Sequence, residues 1–189
     1  MSTEPTRGSR LSRRAFALGG FAAAAIAPGV ALPSVNLGRG TYRSLALTNW
    51  RTEEWLDTVY WVDGEYIPEA LEAIDHMLRD WREDLVTRMD RRAIDILSAT
   101  QHLLDTTEPF EIVSGYRSEK TNRMLRRQGR GVARKSYHVK GMAVDITMKT
   151  RTVRQISGAG LSLAAGGVGK YSRSEFVHLD SGPVRDWGR

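Results

Sequence analysis

The chain has 189 residues, with 28 Lys and Arg against 22 Asp and Glu, 41% hydrophobic residues and no Cys. It can bury one core of moderate size and is too apolar for a disordered protein. A mean hydropathy of −0.39, with no 18-residue apolar run past the first 35 residues, excludes a multispan membrane protein.

A basic start leads into Ser12-Arg13-Arg14-Ala15-Phe16-Ala17-Leu18 and then a weakly apolar Ala/Gly stretch up to Pro33. This is the layout of an export signal, and the paired arginines indicate the twin-arginine route. Gly29-Val30-Ala31 offers small residues for cleavage after Ala31. An uncleaved anchor or an amphipathic helix packed on the domain is the alternative, disfavoured by the helix-breaking Gly19-Gly20 and Pro28-Gly29. The expected organisation is therefore a signal peptide over 1–31, a linker over 32–42 and one domain over 43–189. That domain is expected to be a monomer in the periplasm or cell envelope, meeting the membrane only through its signal. The same N-terminal segment carries half of the +6 net charge, through Arg7, Arg10, Arg13 and Arg14 against Glu4. The remainder is spread over mixed-sign stretches such as Arg79-Asp80-Trp81-Arg82-Glu83-Asp84, so no nucleic-acid partner is expected.

Alternation over 43–48 and 56–62, with a turn at Asp63-Gly64, predicts an opening hairpin. Ala70, Leu71, Ile74, Met77, Leu78 and Trp81 form one stripe and predict a helix over 67–84, with Pro68 in its first turn. Ile94, Ile96, Leu97, Leu103 and Leu104 predict a second helix over 91–104. From Pro109, residues 110–114 read as a strand running into Gly115-Tyr116-Arg117-Ser118 and a helix through Thr121 and Leu125. A basic loop over 128–135, a strand over 142–147, a helix over 151–165 and a hairpin of 168–171 with 176–180 complete the chain. The sum is an α+β single domain, a mainly antiparallel sheet with helices packed on one side.

With no Cys, there are no disulfides, thiolate zinc sites or Cys nucleophiles, and metal or acid–base chemistry falls to Asp, Glu and four His. His76 and His102 lie within the predicted helices without a second ligand type on their face, and read as partly buried helix residues. His138 precedes Gly141 and a short strand presenting Asp145, and Gly141 permits the tight turn that can bring imidazole and carboxylate together. His178 and Asp180 alternate on one strand face and can approach that pair across an antiparallel sheet. His138, Asp145 and His178 would suit zinc with a fourth position for water. Spacing alone does not separate this from a buried His hydrogen-bonded to an Asp.

Ser136-Tyr137-His138-Val139-Lys140-Gly141-Met142-Ala143-Val144-Asp145, the downstream Glu175-Phe176-Val177-His178 and the upstream Ser114-Gly115-Tyr116-Arg117 resemble the zinc peptidases of peptidoglycan. That family includes D-Ala-D-Ala dipeptidases and carboxypeptidases, phage endolysin peptidases and the hedgehog domain. Within it the chain is most similar to the murein endopeptidase K branch, through Ala165-Gly166-Gly167-Val168-Gly169 and Phe176-Val177-His178-Leu179-Asp180 among other motifs. The resemblance implies hydrolysis of cross-links between peptidoglycan stem peptides, with Zn2+ held by His138, Asp145 and His178. It implies Arg117 as anionic anchor or oxyanion stabiliser, Ser136 as an orienting residue, and Glu175 as general base, with Asp180 as an alternative base or, more simply, an orienter of a ligand. On a regular strand Glu175 would face away from His178, so it reaches the metal only from a turn. A D,D-carboxypeptidase or dipeptidase releasing D-Ala is the other enzymatic reading, and a zinc-stabilised envelope-binding module the non-enzymatic one.

Overall fold

The computed structural model describes residues 41–129 and 131–188. The expected signal peptide and all but the last two residues of the expected linker lie outside these. The described chain runs β1 (Tyr42–Asn49), β2 (Glu54–Val62), β3 (Glu65–Tyr66), α1 (Pro68–Met77), α2 (Arg91–Leu103), β4 (Phe110–Ser114) and α3 (Glu119–Arg127). A 3-10 turn (Tyr137–Lys140) follows, then β5 (Ala143–Thr147), α4 (Val153–Ser162), β6 (Gly167–Tyr171), β7 (Phe176–Asp180) and β8 (Arg185–Gly188). No helix among the described residues is long and apolar enough to cross a membrane.

The eight strands form one sheet in the order β3-β2-β1-β4-β5-β7-β6-β8. It is mainly antiparallel, as expected from the sequence, but β1 with β4 and β6 with β8 run parallel. Strand alternation sorts the sheet into two faces. Ile112, Val144, Ile146, Val177 and Leu179 point to one face and are buried with Ile94, Ile96 and Leu97 of α2 and Ile156 of α4. Asp145, His178 and Asp180 alternate with them and point to the other. Asp95 of α2 pins the opening hairpin, accepting from Tyr60 Oη at 2.9 Å, Tyr66 Oη at 2.8 Å and Arg43 Nη1 at 3.0 Å.

Three elements differ from the sequence expectation. The helix expected over 67–84 stops at Met77. Beyond it the Leu78 carbonyl accepts from Tyr116 N at 2.7 Å, and the Asp80 carboxylate accepts from Arg82 N at 3.2 Å and Ser118 N at 2.9 Å. The segment is thereby spent on holding residues 116–118. Trp81 leaves the helical stripe and stacks instead beneath the guanidinium of Arg82, 4.1 Å from its ring centre. β3 and β8 carry no apolar period of their own, and neither was expected; the tight turn expected at Gly141 is the 3-10 turn.

Candidate metal centre

Three elements deliver the site. Ser136 opens the 3-10 turn by accepting from His138 N at 3.3 Å, and Gly141 closes it at φ 67°, the left-handed conformation that Gly adopts without strain. The turn projects His138 toward β5. There Asp145 pairs with His178 of β7 in antiparallel register, so two potential ligands are cross-strand neighbours on the same face. His138 Nε2 stands 3.1 Å from Asp145 Oδ1 and 3.1 Å from His178 Nδ1, and His178 Nδ1 is 2.8 Å from the same Oδ1. All three residues are 8% exposed or less.

The outer partners decide which nitrogens face this centre. His138 Nδ1 donates to the Gly115 carbonyl at 2.7 Å; a carbonyl only accepts, so Nε2 is left as the inward lone pair. Gly115 is required here, because a Cβ would lie 2.2 Å from the Leu78 carbonyl oxygen. His178 Nε2 donates to Asp180 Oδ2 at 2.9 Å, which turns Nδ1 inward. Asp180 is held in turn by Arg185 at 3.0 and 2.6 Å and by Gly182 N at 2.8 Å.

Burial works against charge on every member of the centre. It keeps His138 below its ordinary pKa, so that ring is neutral. Burial also opposes the charge on Asp145 and on His178. The charged His178 ring nevertheless holds the Asp145 carboxyl well below the usual carboxylate range, and the hydrogen bonds to Asp145 and Asp180 raise His178 to about 9. Asp180 is likewise held low by His178 and Arg185, against the effect of its burial.

The centre thus keeps a proton on His178, pointing at a carboxylate, where a cation fits. Ligands of one tetrahedral ion at about 2.1 Å stand about 3.4 Å apart, close to the spacing seen here. Two imidazole nitrogens and one carboxylate oxygen with fixed outer partners meet what a divalent metal site of this kind requires, and the three residues form a group able to hold an ion.

Arg117, in the segment between β4 and α3, binds the far side of the trio. Its Nε donates to Ser114 Oγ at 2.7 Å, and Nη2 donates to Asp145 Oδ2 and lies 3.2 Å from His138 Nε2. The trio and Arg117 line a cleft of about 320 Å³. Its walls carry the cations Lys135 and Arg185 and the rings of Tyr137, Tyr171, Phe176 and Trp187.

Residues 39–187 match the model of the family described as peptidoglycan L,D-endopeptidase MepK. The chain belongs to this family. The peptidoglycan L,D-endopeptidase MepK of Escherichia coli (strain K12) is 43% identical over 176 residues, 93% of this chain and 96% of the relative. The probable peptidoglycan L,D-endopeptidase MepK of Haemophilus influenzae is 36% identical over 177 residues, 93% of this chain and 94% of the relative. Among solved structures, the L-Ala D-Glu endopeptidase ChiX of Serratia marcescens aligns over 40% of this chain and 62% of its own, at TM-score 0.34 and 21% identity. That likeness is too partial to bear on the fold.

In this MepK-family cleft His138, Asp145, His178 and Arg117 come together, with Asp180 buried behind His178. Glu175 does not join them. It ends the turn between β6 and β7, exposed, at φ 55°, beside the cleft residue Phe176 but outside the lining itself. Its place in a turn meets the condition set by strand geometry, while its carboxylate faces solvent. Ser136 lines the cleft and caps the 3-10 turn. His76 and His102 lie on helices away from the site, and both are exposed rather than partly buried; His76 faces Glu54 at 3.4 Å.

The sequence reading missed Trp187. It pairs with Gly169, which has no side chain to stand in the way, and its ring lies 5.2 Å from that of His178. The available signal was the alternating Gly167-Val168-Gly169, a strand that leaves its site face bare.

Proposed function

We propose that this MepK-family metallopeptidase hydrolyses peptide cross-links of peptidoglycan, in the periplasm or cell envelope, after export by the twin-arginine route. The observation that carries the reading is the convergence of His138 Nε2, His178 Nδ1 and Asp145 Oδ1 on the floor of a cation-lined cleft. Stem peptides of peptidoglycan carry free carboxylates, and Arg117, Lys135 and Arg185 suit them.

Zinc is the metal this nitrogen and oxygen donor set favours; bound there, it would supply a Lewis acid and a water with its pKa lowered to about 7. The protein's own residues do the rest. Arg117, fixed by Ser114 and Asp145, presents its guanidinium to the charge that develops on the carbonyl oxygen. Asp180 holds the His178 ring in the ligating tautomer. Glu175, in the turn next to the cleft residue Phe176, is the proposed proton acceptor. Tyr171, Phe176 and Trp187 give the apolar part of a stem a surface and keep bulk water away.

The relatives are named L,D-endopeptidases, which points to bonds joining an L centre of one stem to a D centre of its neighbour, as between diaminopimelate residues. Digestion of purified 3-3 and 4-3 muropeptide dimers, with product masses read out, tests this. Cleavage of the 3-3 dimer that chelator stops and zinc restores is the expected result. Release of free D-Ala would assign a carboxypeptidase instead, and cleavage of nothing would defeat the reading.

A further inference from the structure

The metal centre leaves unused a block of charge on α3 and the loop after it. From Lys120 to Val144 the sequence holds no Asp or Glu. Glu119, on the same helix, is taken by Arg123 at 3.2 Å. Arg126, Arg127 and Arg134 are exposed, and none forms an ion pair among the described residues. Cations in a last helical turn often do no more than complement the carbonyl end of the helix. Two features go further than that. Arg123, Arg126 and Arg127 line a cavity of about 480 Å³ together with Gly129, Gly131 and Val132. Gly131 and Val132 also line the metal cleft, so a ligand can pass from the trio onto the arginines along one continuous wall. That wall is anchored, because Asn122 on the buried side of α3 donates to the Ala133 carbonyl at 3.2 Å.

We propose that this arginine shelf is a second subsite, which binds the carboxylates of the distal peptide stem of a cross-link. The proposal rests on the hydrolase reading above and says where the second half of that substrate lies. A cross-link is two stems joined at the scissile bond, so seating that bond at the trio sends the stems in opposite directions. One stem runs past Arg185 and Trp187, and the other over Val132 toward Arg126 and Arg127. Each stem bears a free α-carboxylate on its D-Glu residue, and a guanidinium fork matches a carboxylate in shape and charge. The shelf is exposed and away from the reacting atoms, so it acts on capture: on KM rather than kcat, and less at high salt.

The test uses the Arg126→Gln/Arg127→Gln double variant and two cross-linked dimers, one with free D-Glu α-carboxylates and one with those groups amidated. The expected result is a roughly 5- to 20-fold fall in kcat/KM on the acidic dimer, carried by KM, with the amidated dimer unaffected. The Arg126→Lys/Arg127→Lys variant should restore most of the loss, and 0.5 M salt should erase the difference between the proteins. Equal losses on both dimers, or no loss on either, would overturn the proposal. Calorimetric binding of acidic and amidated single stems to both proteins needs no turnover. If neither dimer is cleaved but the acidic stem still binds more weakly to the double variant, the shelf stands and the hydrolase reading falls. Equal binding of both stems, with inorganic polyphosphate displacing them alike, would make the shelf a general polyanion surface and overturn it.

Discussion

His178 Nε2 donates to Asp180 Oδ2 across 2.9 Å, and through that bond a residue outside the trio chooses the nitrogen that the trio receives. Asp180 is fully engaged by Arg185, Gly182 and His178, with no oxygen left over to take a proton from a substrate. Asp180→Asn should therefore weaken metal binding about 10- to 100-fold while the fold persists. Competition with a chromophoric chelator measures this. Unchanged affinity combined with lost turnover would move Asp180 into the reaction itself.

If His138, Asp145 and His178 take the ion, proton release on metal binding follows from their titration. In the metal-free protein Asp145 is already ionised and His138 already neutral, whereas His178, raised to about 9, holds the one proton an ion must displace. A raised pKa means that the protonated form dominates below 9, so metal affinity should climb as pH rises toward 9 and level off above it. Calorimetry at pH 7 in buffers of different ionisation enthalpy should find about one proton released per ion, and none well above pH 9. Release of two protons at pH 7 would contradict the assignment of His138 as neutral.

Arg117 touches Asp145 of the proposed metal trio yet is not itself one of the three. Arg117→Ala should lower turnover by roughly 10²–10³ and leave the metal in place. Without metal, the same change strips a buried carboxylate of a paired cation and should cost about 3–5 kcal/mol, read by urea unfolding of the metal-free protein. Loss of metal from the folded variant would make Arg117 a structural residue only.

Glu175 occupies a left-handed position, φ 55°, where Gly would be unstrained. Glu175→Gln should keep the metal and lower the rate by roughly 10²–10⁴, the worth of a positioned proton acceptor. Glu175→Gly should lose activity too, while gaining up to about 1 kcal/mol of stability from the relieved backbone. A Gln variant with near wild-type activity would remove Glu175 from the mechanism.

The sequence by itself determined whatever depends on local period and short spacing. β7 alternates, so His178 and Asp180 share a face, and the tight turn ending at Gly141 sets His138 just ahead of the strand that carries Asp145. The stripe of α1, the step from β4 through residues 115–118 into α3 and the closing hairpin were legible for the same reason: each signal is contained within a few residues. Tertiary structure decided what depends on partners far along the chain. α1 ends where the Leu78 carbonyl and the Asp80 carboxylate meet Tyr116 and Ser118, residues with no local mark on the helix they stop. β1 lies beside β4 although two helices separate them in sequence, and β8 returns parallel to β6 to bring Trp187 against His178. The bonds from Arg117 to Asp145 and from His138 to Gly115 also span long stretches of chain, and these fix the charge and tautomer of the site. A hydrophobic period records which face a residue turns to the core; which distant donor waits at that face is settled only when the strands find their order.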